Sequence, residues 1–99
     1  MSAETMLGGR WRLHPQVALR PERFGALAYH YGTRRLSFLK SRRLLDVVEG
    51  LERARDVDGA CRAAGVEEAE LSSYRRALAT LAETGMIVPA DAIAEGAVA

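Results

Sequence analysis

The chain has one cysteine, Cys61, and two histidines, His14 and His30, in 99 residues. A single thiol excludes an internal disulfide and a cysteine-based zinc site. Set among alanines on a helical stretch, Cys61 reads as a small buried apolar residue. No run of about 18 apolar residues exists, so no segment is expected to span a membrane. The N-terminus MSAETMLGGR has no basic start followed by an apolar run, so no secretory signal is expected. The HExxH, paired-cysteine, GxSxG and phosphate-loop patterns are all missing. Gly8-Gly9-Arg10 lacks the strand–turn–helix frame of a nucleotide site, and Glu67-Glu68 sits at a helix start, where acids offset the dipole. The expectation is a cytoplasmic binding protein, not an enzyme, with no metal and no cofactor.

What is present describes a single small globular domain. Apolar residues make up 48% of the chain and charged residues 27%, enough burial to avoid disorder. The net charge of +1 hides an asymmetry: residues 1–55 carry +6 and residues 56–99 carry −5. A basic first half points to an acidic partner.

Residues 1–10, polar with a Gly8-Gly9 pair, are expected to form a flexible arm. Trp11 to Gln16 reads as an irregular lead-in. Val17 to Arg20 alternates and gives a first strand, ended by a turn at Pro21. Phe24 to Lys40, FGALAYHYGTRRLSFLK, reads as a hairpin. Leu27, Tyr29 and Tyr31 share one parity on its first strand, and Leu36 and Phe38 share one on its second. His30, opposite the tyrosines, is expected to be exposed. Gly32-Thr33 is expected to form a two-residue turn, with the glycine at positive φ.

Periodicity then becomes helical. Ser41 is the expected N-cap of a helix over 42–53 with Leu44, Leu45, Val48 and Leu51 inward. Asp56 or Asp58 opens a second helix that Gly65 closes. A third helix over 67–84 carries the stripe Leu71, Tyr74, Ala77, Leu78 and Leu81, and Gly85 ends it. Met86 to Val88 makes an apolar return, and residues from 90 onward form a loose tail. The fold class is α+β: a winged helix-turn-helix-like domain, with a three-stranded antiparallel N-terminal sheet followed by three helices.

Two binding functions compete on these elements. A winged-helix transcriptional regulator would insert the third helix into DNA, yet Glu67, Glu68, Glu70 and Glu83 against Arg75 and Arg76 would repel phosphates. The alternative is capture of an extended peptide by the open edge of the third strand. Leu36 and Phe38 on that strand, with Tyr74, Leu78 and Leu81 on the third helix, would line the groove. Arg34, Arg35, Lys40, Arg42 and Arg43 would attract an acidic peptide.

The segments WRLHPQVALRPERFGALAYHYGTRRLSFLKS, LLDVVEGL and ACRAAGV resemble the family of small chaperones of mycofactocin biosynthesis. That family is grouped with the PqqD-like recognition elements of ribosomally made, modified peptides. The resemblance covers about residues 10–89 and is most specific at RPE-FGAL-Y and GTRRLSFLKS. It implies a carrier that binds the leader region of the mycofactocin precursor peptide. The carrier would present the precursor to a radical S-adenosylmethionine maturase, with no nucleic acid and no membrane involved. It further implies that the leader adds as a strand beside the third strand, against the third helix. On this chain that selects Arg34, Arg35, Leu36, Ser37 and Phe38, with Leu71, Tyr74, Arg75, Leu78 and Leu81.

Overall fold

The computed structural model describes residues 7–91. Four strands precede three helices: β1 (Trp11–Leu13), β2 (Val17–Glu22), β3 (Gly25–His30), β4 (Arg35–Leu39), α1 (Arg42–Gly50), α2 (Val57–Ala63) and α3 (Leu71–Glu83). A last short strand, β5 (Ile87–Pro89), follows. The α+β class and the three-stranded meander β2-β3-β4 hold, and a two-stranded sheet of β1 with β5 is added. Trp11 pairs with Pro89 and Leu13 with Ile87, so the expected lead-in and the apolar return are two halves of one ribbon. Three-residue strands are too short for alternation to reveal them.

The main sheet buries the parity opposite to the one its large side chains suggest. Ala26 and Ala28 are fully buried, and His30 is only 4% exposed, not on the surface as expected. Tyr31, Leu36 and Phe38 are 61%, 53% and 60% exposed. The reason lies in α1, which packs on the inner face of β3. Alanines let the helix approach closely, and the bulky side chains are left on the outer face. Leu44, Leu45, Val47 and Val48 of α1 form the buried stripe facing the sheet. Each such side chain stabilises the fold by roughly 1.5–3 kcal/mol, so this packing fixes where α1 sits.

The helix ends follow the expected chemistry. The Ser41 hydroxyl accepts the Leu44 N–H at 3.0 Å, and an Asp56 carboxylate oxygen accepts the Gly59 N–H at 2.7 Å. Gly65 and Gly85 adopt φ of 91° and 78°, the left-handed geometry that ends a helix cheaply only at glycine. The first and third helices are shorter than expected. A 3-10 turn, Leu51–Arg53, continues α1, and another, Glu68–Glu70, leads into α3. Cys61 is fully buried, and burial, with the nearby Asp58 charge adding to it, pushes its thiol up to about 11. Its role in the fold is packing.

The hairpin loop also differs. Strand pairing runs to His30 opposite Arg35, leaving a four-residue loop, 31–34, rather than a two-residue turn. Arg34, with φ of 63°, is the left-handed residue; Gly32 is not. His30 builds this loop from beneath: its Nδ1 accepts the Gly32 N–H at 3.0 Å and the Thr33 N–H at 3.2 Å. A side chain at position 32 would meet Gln16 Oε1 and the His30 ring, so these would have to shift to admit it.

Candidate functional site: an open strand edge and its groove

In the order β2-β3-β4, strand β4 pairs only with β3 among the described residues. Hydrogen-bond direction along β4 follows from one contact at the other side of β3. The Tyr31 N–H donates to the Gln16 carbonyl at 2.8 Å, so odd-numbered residues of β3 turn their backbone groups toward β2. Antiparallel ladders alternate, so Ala26, Ala28 and His30 turn theirs toward β4. Their partners are Leu39, Ser37 and Arg35. The N–H and C=O groups of Leu36 and Phe38 therefore point away from the sheet, at the open edge.

The opposite margin, β2, is also an edge, but Pro21 lies in it. Pro21 faces Ala26, a position whose missing N–H would point outward, so the ring interrupts that edge. β4, with sequence RLSFL, has no such interruption. Of the two margins, β4 is the one that can template another strand.

Beside the end of β4, a shallow groove of about 310 Å³ lies between Ser41 and Leu44 on one side and Glu70, Ser73, Tyr74 and Ala77 of the α3 region on the other. Tyr74 is half-buried and reaches this groove. Leu71, Leu78 and Leu81 are buried in the core; they hold α3 in place. Arg75 faces the other way. It grips the Asp58 carboxylate through two bonds of 2.9 and 2.6 Å, joining α3 to α2 and holding that carboxyl below its usual range. Arg34 and Arg35 are exposed at the start of β4. Leu36 and Phe38 sit on the outer sheet face, pointing away from α1. The sequence thus marked one strip of backbone and one groove wall, while three of its helix positions are core. It missed Ser41, Leu44 and Ala77 as groove lining, for which only a capping and a periodicity signal existed.

The two histidines meet, with ring centroids 4.4 Å apart. His14 Nδ1 accepts the Gln16 N–H at 3.0 Å, and His30 Nδ1 is taken up by the loop. Burial, and then the neighbouring His30, hold the His14 pKa below the ordinary 6.5. The unfolded chain therefore takes up that proton first, and stability should fall as pH drops below about 6.5. Thermal melts between about pH 5 and 7.5 check this, with His14→Gln expected to flatten the decline. Among the described residues no group of three or more His, Cys, Asp or Glu could hold a metal ion, and no helix is long and apolar enough to cross a membrane.

Comparison with known proteins finds relatives along most of the chain. Residues 10–88 match the peptide chaperone MftB family. A protein named peptide chaperone MftB from Mycobacterium ulcerans is 58% identical over 82 residues, covering 83% of this chain and 75% of that protein. Its namesake from Mycobacterium tuberculosis is 57% identical over 79 residues, 80% of this chain and 72% of that protein. The one from Mycolicibacterium smegmatis is 51% identical over 81 residues, 82% and 79% respectively. No solved structure matches.

Proposed function

The chain belongs to the peptide chaperone MftB family, and from that membership we propose that it binds the leader of the mycofactocin precursor by strand addition on β4. The bound precursor is then presented to a radical S-adenosylmethionine maturase. The observation that carries this reading is the uninterrupted open edge at Leu36 and Phe38. Main-chain bonds from those two residues provide affinity, and the groove at Tyr74, Ala77 and Leu44 takes a side chain of the peptide. Ser37, bonded to β3, keeps the edge straight. Arg34 and Arg35 steer an acidic leader.

Leu71, Leu78 and Leu81 contribute by fixing the groove wall. Arg75 contributes by locking α3 to α2. A leader held this way raises the local concentration of the precursor tail at the enzyme. Insertion of α3 into a DNA groove gains nothing from this geometry, because Arg75 is committed to Asp58 and the approach to the helix is lined by Glu67, Glu68 and Glu70.

The test is a titration of labelled leader peptide at several salt concentrations. Reversing Arg34 and Arg35 to Glu should weaken binding about tenfold at low ionic strength, and less at high salt. An affinity that ignores both salt and the double reversal removes the steering role. An absence of leader binding by the parent protein removes the function.

A further inference from the structure

The outer face of the main sheet carries four of the protein's six aromatic side chains. They form two edge-to-face pairs: Phe24 with Phe38, centroids 6.1 Å apart, and Tyr29 with Tyr31, centroids 5.2 Å apart. Leu36 lies between them, paired across the strands with Tyr29, and Leu27 is paired with Phe38. Phe24 is 47% exposed and Tyr29 36%. A small domain gains stability by burying such residues, and instead the only aromatic in its core is Trp11. A contiguous exposed apolar face of this kind marks an interaction surface.

A leader strand does not account for it. A strand added to β4 would lie about 4.8 Å beyond it. Its outward side chains would meet Leu36 and Phe38, their immediate cross-strand neighbours. Tyr29 and Leu27 lie one strand further back. Tyr31 and Phe24 lie at opposite ends of β3, in the loops before and after it. These stay uncovered when the edge is filled.

The rim decides the occupant. Arg20, Arg23 and Arg34 flank the face and are exposed, whereas Arg35, opposite His30, belongs to the inner parity. The one acid among them, Glu22, is paired with Arg20 at 2.9 Å, which leaves Arg23 and Arg34 as the net positive charge of the rim. A second copy docked face to face would set arginines against arginines, which disfavours self-association. A partner with apolar side chains inside a carboxylate rim is complementary.

We propose that the outer face of β3 and β4 is a second docking surface, separate from the strand edge. It receives an acid-rimmed apolar patch on the peptide-maturing enzyme. This rests on the function proposed above, and it names the surface through which the carrier meets that enzyme. Because the face continues onto the outward side chains of an added strand, the enzyme would rest on the carrier and the leader together. Binding of each then favours the other by the same factor.

The experiment measures the affinity of the purified cognate maturase for the full chain, with and without saturating leader peptide. The parent is compared with the double variant Tyr29→Ser/Tyr31→Ser, which lies outside β4. The variant should bind the enzyme at least about tenfold more weakly, keep its leader affinity within about twofold, and stay folded, with a melting temperature lowered by no more than about 10 °C from the lost aromatic and cross-strand pairs. Leader should tighten the parent's hold on the enzyme. Unchanged enzyme affinity in the variant overturns the proposal. So does a parent that does not bind the enzyme, or one that sediments as a dimer which the variant loses. Failure of the leader titration alone would instead strike the strand-addition reading, so the two can be told apart.

Discussion

Replacing Leu36 by proline is expected to lower leader affinity about 100-fold while leaving the domain folded. The Leu36 N–H points at the open edge, so the fold does not use it. A proline there removes a donor to the incoming strand and pushes its ring into the space the strand would occupy. The same change one residue on should behave oppositely. Ser37 turns its N–H toward Ala28 of β3, its partner in the ladder. Ser37→Pro removes that donor, leaves the Ala28 carbonyl unpaired and pushes the ring into β3, at a cost of about 3 kcal/mol. For a domain of this size that is roughly a 12–24 °C fall in melting temperature. Circular dichroism melts and leader titrations on both variants check the contrast. A folded Leu36→Pro protein that binds leader normally would exclude β4 as the docking edge.

Gly25→Ala is expected to be the most damaging Gly→Ala change among the described residues. Gly25 begins β3 where the end of β4 and the start of α1 cross it. A Cβ there would collide with the Leu39 carbonyl oxygen and stand 2.8 Å from the Ser41 N and 2.9 Å from its O. All three atoms are backbone, so no side chain can rotate away. The strand must shift, dragging the α1 cap and the mouth of the groove with it. A loss of about 3 kcal/mol follows from such overpacking, with weaker leader binding even where the protein stays folded. Denaturant unfolding measures the first effect and titration the second. By contrast, Gly8 has nothing within 4 Å of a built Cβ, and Gly8→Ala serves as the neutral control.

The regular elements were legible because their signals are local. Ser41, Asp56, Gly65 and Gly85 mark helix ends through their own side chains, or the lack of one, and the apolar spacing of 44–51 and 71–81 could only be helical. The ribbon of β1 with β5 joins residues 74 or more positions apart, and nothing local announces it. Sheet polarity was misread for a physical reason. Alternation tells which residues share a face, not which face is buried, and here the smaller residues went inside to admit a helix. His30 follows from the same inversion. Its burial serves the loop, which is held by two bonds to a ring nitrogen rather than by a glycine at positive φ. The candidate edge was legible as the last strand of a meander. The direction of each N–H along it needed the register, and so did the separation of Arg75 and the core leucines from the groove.

The central claim is tested most directly by amide hydrogen exchange on the full chain, free and with leader bound, resolved to single residues of β4. In the free protein the Ser37 and Leu39 amides should be protected and those of Leu36 and Phe38 should exchange quickly. Adding leader should protect Leu36 and Phe38 strongly while barely changing their neighbours. Tight leader binding with Leu36 and Phe38 still exchanging freely would show that the peptide sits elsewhere.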